Sequence, residues 1–183
     1  MSQATSQLDK DHIMLDAHSL DELKTKQFTT TKDQAKYEHT YESDSYKQKT
    51  CKATITAIRR NKQFVNEVKD GEDCGLLLDQ TNFYAEQGGQ IYDEGLITKS
   101  ENPDQDQDEQ LEFVVNNVQV RGGYILHIGT LSSTQGGSLK VGDTVYLHVD
   151  IDRGGSVMNN HTGKLLIELI IQILNFFIKF HIT

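Results

Sequence analysis

Short runs in which apolar and polar side chains alternate dominate the middle of the chain. The first, KATITAIRR, sets Ala53, Ile55 and Ala57 between threonines, which is the period of a half-buried β-strand. Similar runs follow, separated by turns that carry glycine or aspartate: QFVNEV, LLLD, QIYDEGLIT, LEFVVNNVQV, GYILHIGTL and TVYLHVDI. Six or seven short strands at this spacing, in a chain with one proline, predict a mainly β fold, a small closed antiparallel β-barrel over residues 50–152.

The segment before the barrel has a different pattern. The first ten residues are polar and rich in serine and glutamine, which predicts a disordered start. Ser19 followed three residues later by Glu22 is a capping-box pattern, and it predicts a short helix with Leu20 and Leu23 on one face. Residues 29–49 are hydrophilic apart from three tyrosines, so we expect an extended linker there.

The end of the chain, residues 153–183, predicts a C-terminal helix. In KLLIELIIQILNFFIKF, Glu168, Gln172, Asn175 and Lys179 recur at helical spacing, which leaves a narrow polar stripe on an apolar cylinder. A helix that spans a bilayer needs about 20 predominantly apolar residues. The polar residue at each turn therefore argues against membrane insertion, and we expect this amphipathic helix to associate with a partner through its apolar face.

Charge and cysteine content exclude some classes of protein. The formal net charge is −9 and no long basic run is visible, which argues against DNA binding and against strong unassisted RNA binding, because Lys and Arg supply most of that affinity. Cys51 and Cys74 form no CxxC motif, and the start carries no signal peptide pattern. These features indicate a reducing cytoplasm and two partly buried structural cysteines.

The stretch DQTNFYAEQGGQIYDEG, which begins at Asp79, contains the best candidate site. Asp79 and Thr81 can close a local turn from side chain to backbone, and Phe83 and Tyr84 can then anchor the chain. On these residues alone, the simplest interpretation is a strand–loop–strand corner with a glycine bulge.

The Gly-Gly-Gln triplet inside this stretch suits contact with a ligand. Gly88 and Gly89 allow backbone angles that other residues avoid and permit close approach of another group. Gln90 offers both a hydrogen-bond donor and an acceptor at that point.

The whole pattern resembles the signature of alanyl-tRNA synthetases and of the related free-standing alanyl-tRNA editing proteins. The matching positions are Asp79, Thr81, Phe83, Tyr84, Ala85, Glu86, Gly88, Gly89, Gln90, Asp93 and Gly95. Other stretches, among them LDAHSLDELK, ATITAIRRNKQFVNEV and LKVGDTVYLHVD, resemble the eukaryotic cytoplasmic form of the synthetase. The resemblance extends from about Asp11 to Thr162.

This resemblance implies a place within a longer enzyme. It implies that residues 11–49 end a tRNA-recognition region, that the barrel is translation-factor-like, and that residues 153–183 begin a truncated editing domain. The family charges tRNA(Ala) using ATP and magnesium, and its editing domain hydrolyses tRNA mischarged with serine or glycine. The aminoacylation core lies before this segment in the family, so the resemblance implies no catalytic residue here and assigns residues 88–90 to handling the aminoacylated end of the tRNA.

The zinc site of the editing domain is incomplete in this sequence. In the family, two histidines four residues apart and a later Cys and His hold the metal. In MNNHTGKLL, His161 and Thr162 match, but GKLL stands where the family has Ala-Thr-His-Leu-Leu, and no cysteine follows Cys74. His161 is thus a single remnant ligand, and we expect no cofactor in this chain. The abrupt change after Thr162 suggests a premature end, a missed splice or a shifted frame.

Three alternatives remain open on the sequence. Peptide release factors also use Gly-Gly-Gln, but in basic surroundings, whereas Glu86, Asp93 and Glu94 surround it here. A free-standing editing hydrolase begins with such a barrel, but the second histidine is missing. A non-catalytic tRNA-binding module fits the residues of the isolated chain best. His127 and His148 lie within strand patterns and are interpreted as barrel residues.

Overall fold

The computed structural model describes residues 12–37, 39–42, 45–48, 50–86, 92–101, 111–149 and 170, with residues 37–48 described by their backbone alone. Residues 1–150 and 151–183 form separate compact units. The disordered start, His161 and the C-terminal helix predicted above therefore lie outside the described residues, except that Ile170 has helical geometry. No helix in the described part of the chain has the length and apolar character that crossing a membrane requires.

The described residues form one helix, one 3-10 turn and eleven strands. In chain order these elements are α1 (Ala17–Thr25), the 3-10 turn (Gln34–Tyr37), β1 (His39–Glu42), β2 (Ser45–Gln48), β3 (Cys51–Arg60), β4 (Gln63–Val65), β5 (Glu67–Lys69), β6 (Asp73–Leu78), β7 (Gly95–Thr98), β8 (Leu111–Arg121), β9 (Tyr124–Ser133), β10 (Ser138–Lys140) and β11 (Thr144–Val149).

Six of the described strands close into an antiparallel barrel, which confirms the predicted fold class. Their order is β11–β7–β8–β9–β6–β3, and β3 pairs back with β11 through the register Val145 to Ala53. Strand β4 extends β3 as a hairpin, and β5 pairs with β10 in a separate small sheet. This small sheet contributes Val68 and Leu139, both fully buried, to the same cluster as the barrel interior.

The alternating strand pattern fills the barrel interior. Ala53 and Ile55 of β3 and Phe113 and Val115 of β8 are buried in one cluster. The register shifts between Ile55 and Ala57 and again between Val115 and Asn117, and such bulges bend strands as closure requires.

Both cysteines lie inside the barrel, more deeply buried than the sequence predicts. Cys51 and Cys74 are buried in the interior cluster, and no disulfide is present in the described part of the chain. Burial raises the pKa of the Cys74 thiol to about 12, so this thiol remains protonated and unreactive at neutral pH.

The segment before the barrel packs against its outer face, and residues 12–36 are called the strap below. Its buried side chains form a second cluster with the outward-facing residues of β3, β6 and β9. This cluster contains Ile13, Leu15, Leu23, Ala57, Leu77, Tyr124, Leu126 and Ile128. Hydrogen bonds fasten the strap as well: the Tyr124 hydroxyl donates to the Phe28 carbonyl at 2.9 Å, and the Lys62 N–H donates to the His12 carbonyl at 2.6 Å.

Helix α1 begins earlier than the capping-box pattern predicts. Asp16, not Ser19, is the N-cap: its Oδ1 accepts the Ser19 N–H at 2.7 Å, while the Ser19 hydroxyl donates to the Asp16 carbonyl at 2.8 Å. The aspartate thus satisfies one N–H of the first turn, and Ser19 is buried within the helix. Leu20 and Leu23 do pack on the same cluster, as predicted.

Three further stretches differ from their expected structure. Residues 29–49, expected as an extended linker, include the 3-10 turn and the β1–β2 hairpin, in which Tyr41 and Tyr46 are opposite each other. The run LLLD is the end of a longer strand, because β6 already begins at Asp73. Among the described residues of QIYDEGLIT, the strand comprises Gly95–Thr98, and Tyr92 to Glu94 precede it.

Candidate functional site

The loop between β6 and β7, residues 79–94, is the candidate loop. In the ring of six strands, two strands separate β6 from β7 in either direction, so the candidate loop crosses one end of the barrel. Gly88, Gly89 and Gln90 lie in residues 87–91, outside the described part of the chain. The structure therefore shows how the two arms beside the triplet are held.

Asp79 begins the first arm by continuing the ladder between β6 and β3. Its Oδ1 accepts the Thr54 N–H at 2.7 Å, and its own N–H donates to the Thr54 carbonyl at 3.1 Å. The carboxylate takes the place of a backbone acceptor beside the bulge in β3. The predicted local turn by Asp79 is thus wrong, because its side chain bonds across to another strand.

Thr81 closes the predicted local turn and also contacts a buried histidine. The Thr81 hydroxyl accepts the Phe83 N–H at 3.1 Å and lies 2.8 Å from His127 Nε2. His127 Nδ1 lies 3.2 Å from the Leu76 carbonyl, which can only accept, so this nitrogen carries the proton. Nε2 of the neutral ring then accepts the hydrogen of the Thr81 hydroxyl.

The buried histidine makes folding stability depend on pH. Burial lowers the pKa of His127 from its ordinary value of 6.5 to about 4, against the opposing effect of its hydrogen bond to Leu76. The unfolded chain therefore takes up a proton near pH 6.5 that the folded chain takes up only near pH 4. The stability of the folded chain that depends on a neutral His127 is therefore fully present above pH 6.5, and it is lost as the pH falls towards 4.

Protonation of His127 in the unfolded chain is expected to lower the free energy of unfolding by about 1.5 kcal/mol between pH 6.5 and pH 5. Urea unfolding followed by circular dichroism at these two pH values measures the change. The variant His127→Leu is the control, since it should lose this dependence while its carboxylates titrate unchanged. An equal fall in both proteins would contradict the assignment to His127.

Phe83 and Gly95 lock the candidate loop onto the barrel. Phe83 is fully buried, and its ring meets the His127 ring edge-on, with centroids 5.5 Å apart at 86°. At Gly95, an added Cβ would lie 2.2 Å from the His148 carbonyl oxygen and 3.0 Å from Phe83 Cζ. Glycine at position 95 is therefore needed for β7 to approach β11 beneath the phenylalanine.

Tyr84 and Asp93 join the two arms beside the Gly-Gly-Gln triplet. The Tyr84 N–H donates to Asp93 Oδ2 at 2.9 Å, and the Asp93 N–H donates to the Tyr84 carbonyl at 3.1 Å. Further along the first arm, the Glu86 N–H donates to the Val118 carbonyl at 2.8 Å, beside a parallel bridge to Gln119. The residues on both sides of the triplet are thus bonded to each other and to β8.

The strap contributes contacts that the sequence did not predict. Lys32 forms a parallel bridge with Gln80: its N–H donates to the Asp79 carbonyl, and its carbonyl accepts the Thr81 N–H, both at 2.9 Å. Lys36 Nζ lies 5.1 Å from the centroid of the Tyr84 ring, within the range of a cation–π contact. No local pattern pointed to these contacts, since they join segments about fifty positions apart in the sequence.

The described surroundings of the triplet are mainly acidic. Burial, together with the Glu94 and Glu86 carboxylates, raises the pKa of the Tyr92 phenol, so its hydroxyl remains a neutral hydrogen-bond donor. Asp93 adds a third carboxylate. Against these three carboxylates stands the Lys36 ammonium over Tyr84, so the described charge beside the triplet is net negative, which disfavours phosphate and suits hydrogen bonds to uncharged polar groups.

The two strand histidines are held in the barrel, and His161 lies outside the described residues. Thr98 Oγ1 donates to the Ser100 carbonyl at 2.6 Å and lies 3.0 Å from His148 Nε2, so this nitrogen is the donor. Both strand histidines are thus barrel residues. Among the described residues, no group of three His, Cys, Asp or Glu side chains is placed to hold a metal ion.

The family model and the curated relatives that match this chain are all tRNA synthetases. A family model described as tRNA synthetases class II (A) matches residues 3–153. The cytoplasmic alanine–tRNA ligase of Bombyx mori is 43% identical over 94% of this chain, that of Caenorhabditis elegans 46% over 84%, and that of Drosophila melanogaster 41% over 89%. The chain spans 17%, 15% and 16% of these relatives, about a sixth of their length.

Proposed function

The chain belongs to the alanyl-tRNA synthetase family, and we propose that its barrel holds the candidate loop against the aminoacylated 3′ end of a tRNA. The role is recognition, not catalysis. The proposed partner is tRNA(Ala), held mainly by other parts of a full synthetase. The protein acts in the cytoplasm, as the names of its relatives at 41–46% identity state for them.

The joining of the two arms supports this proposal most strongly. Tyr84 and Asp93 form two hydrogen bonds between the arms, Phe83 is buried beneath them, and Glu86 is bonded to β8. A corner that merely connects two strands has no need of so many fixed points on either side of two glycines and a glutamine. Anchored arms are what a recognition loop requires, because ordering the loop in advance lowers the entropic cost of binding.

Contact is made through hydrogen bonds and not through charge. Gln90 carries an amide that can donate to and accept from a ribose hydroxyl or a base edge. The Glu86 and Glu94 carboxylates act electrostatically on Tyr92 and would repel backbone phosphates, which argues against a site for the phosphate chain. The 3′-terminal ribose and its aminoacyl group match this chemistry better than the acceptor helix does.

The side chains most often used for catalysis are committed elsewhere. His127 is buried and neutral, with both ring nitrogens bonded, and Cys74 is a buried, protonated thiol. The family's zinc does not fit the donors in this sequence, since His161 has no second histidine four residues on. ATP, magnesium and zinc are therefore assigned to a full synthetase.

The proposed domain organisation follows the same assignment. Residues 11–49 derive from the tRNA-recognition region, residues 50–152 form the barrel, and residues 153–183 correspond to the start of an editing domain. The apolar face of that last segment is proposed to associate with a partner.

The test combines activity assays with a binding map on the purified chain. We expect no alanine-charged tRNA with ATP and alanine, and no release of serine from serine-charged tRNA(Ala) with added zinc. In NMR titration at low salt with an acceptor-stem RNA ending in CCA, amide shifts should change at residues 84–86 and 92–95. Gln90→Ala should weaken the response, whereas Gln135→Ala, in the exposed turn after β9, should not.

Two results would contradict the proposal. Zinc-dependent release of serine would identify the chain as an editing hydrolase. Shift changes that leave the candidate loop untouched, or that persist unaltered in Gln90→Ala, would place any RNA contact elsewhere.

A further inference from the structure

We propose that His127 is a positioning residue for the first arm of the candidate loop, residues 79–86, and acts through the hydroxyl of Thr81. This deepens the proposed function and rests on it only for the identity of the ligand. His127 lies on β9, in the centre of the barrel wall, and its register partners are Leu76 of β6 and Val118 of β8. Its side chain is fully buried, so it acts on a ligand only through other residues.

A buried imidazole at position 127 is energetically less favourable than an aliphatic side chain unless its nitrogens are hydrogen-bonded. Burying a polar group costs free energy unless it is hydrogen-bonded, and an aliphatic side chain would fill an apolar barrel without that risk. Here both ring nitrogens are bonded, one to the Leu76 carbonyl and one to the Thr81 hydroxyl. The ring thus joins the barrel wall to the first arm of the candidate loop.

The direction of these hydrogen bonds gives the ring its effect. The Thr81 hydroxyl has a single hydrogen, which His127 Nε2 accepts, so an oxygen lone pair remains directed at the Phe83 N–H. The imidazole therefore sets the rotamer that closes the turn between Thr81 and Phe83. Without it, the hydroxyl can rotate and the Phe83 N–H loses a fixed acceptor.

The same ring fixes the anchor and lies beside the next attachment point. Phe83 packs edge-on against it at 5.5 Å, an orientation that aromatic rings favour. The Glu86 N–H bonds to the carbonyl of Val118, which is the register partner of His127 on β8. Hence one side chain contacts the turn and the anchor, and its strand neighbour receives the end of the arm.

Amide hydrogen exchange in the full chain tests this role. Thr81→Val removes the hydroxyl at nearly constant shape, Thr81→Ser keeps it, and His127→Leu removes the imidazole. Thr56→Val is the matched control, because Thr56 Oγ1 donates to the Leu77 carbonyl at 3.0 Å. This bond lies between β3 and β6, whereas His127 lies on β9, which pairs with the other edge of β6. The measured quantity is exchange at Phe83 relative to the amides of β8.

We expect exchange at Phe83 to rise roughly 10- to 100-fold in Thr81→Val and in His127→Leu. Thr81→Ser and Thr56→Val should stay near the wild-type ratio. The double variant that combines Thr81→Val with His127→Leu should exchange no faster at Phe83 than the faster of these two single variants. The reason is that the Thr81 and His127 side chains act through one contact. If His127→Leu does not fold, the Thr81 pair decides the question.

Equal acceleration at Phe83 and throughout β8, or no difference between Thr81→Val and Thr81→Ser, would overturn the positioning role. The acceptor-stem RNA titration is repeated on the same samples. If amide exchange follows the expected pattern but the wild-type protein shows no response to the RNA, the positioning role is supported and the proposed function is contradicted. An RNA response confined to the candidate loop, with exchange at Phe83 unaffected by Thr81→Val, would contradict the positioning role alone.

Discussion

Replacing Gly95 with alanine is expected to destabilise the barrel by about 3 kcal/mol or more. The new Cβ would lie 2.2 Å from the His148 carbonyl oxygen and 3.0 Å from the Val149 Cα, and β7 pairs with β11 at this point. Backbone atoms in a closed ring cannot move aside as a side chain does, so the clash falls at the high end of overpacking costs. Urea unfolding followed by circular dichroism measures the loss.

Gly75 provides a matched control within the same barrel. A Cβ there would lie 2.7 Å from Leu126 Cδ1 and 3.0 Å from Ile13 Cγ2, which are ends of side chains that can rotate. We expect Gly75→Ala to cost clearly less than Gly95→Ala. Gly129→Ala should resemble Gly95→Ala, since its Cβ would lie 2.0 Å from the Val114 carbonyl oxygen. Equal losses for Gly75 and Gly95 would contradict the close approach of β7 and β11.

Replacing Phe83 with alanine is expected to cost about 3–5 kcal/mol and to abolish the RNA response of the candidate loop. Phe83 is fully buried in the barrel interior and packs against the His127 ring. Its removal leaves a cavity under the first arm and releases the residues that follow. Urea unfolding gives the stability change, and the acceptor-stem RNA titration gives the functional change.

Phe113→Ala separates the two effects of this substitution. Phe113 is also fully buried in the interior cluster, but it lies on β8 and pairs with Leu131 and Ile97. We expect a comparable loss of stability with the RNA response retained under conditions where the protein remains folded. If both variants keep the response, Phe83 is a core residue without a role in the candidate loop.

The barrel was predictable from the sequence because its strands carry a local signal. Apolar residues at every second position mark the inward face of β3 and of β8, and the glycine and aspartate turns between runs indicate antiparallel neighbours. The boundaries were less accurate. Strand β7 begins only at Gly95, because Tyr92 to Glu94 belong to the arm that is bonded to Tyr84 rather than to a neighbouring strand.

The contacts that hold the candidate loop were not predictable in the same way. Thr81 and His127 are 46 positions apart, and neither residue type indicates its partner. A histidine in a strand pattern was correctly interpreted as a barrel residue, but its bond to the loop depends on which strands are neighbours. The bridge from Lys32 to Gln80 is hidden for the same reason, since a hydrophilic segment gives no sign that its backbone pairs with the barrel.

The N-terminal capping error has a local cause. Both Asp16 and Ser19 are good N-cap residues, and the sequence pattern favoured the one followed three positions later by Glu22. In the structure Glu22 instead pairs with Lys26 at 2.6 Å. Ile13 and Leu15 pack on the barrel and thereby place Asp16 where the helix begins. This tertiary effect overrides the local pattern.

Photo-crosslinking from Glu86 to tRNA(Ala) tests the central claim most directly. Glu86 is exposed and lies at the end of the first arm, so a photoreactive residue there leaves the Gly-Gly-Gln triplet intact. We predict crosslinks to the 3′-terminal nucleotides, weakened by Gln90→Ala and absent when the photoreactive residue replaces Gln135. Crosslinks to other parts of the tRNA, or equal crosslinking from both positions, would contradict a loop that recognises the aminoacylated end.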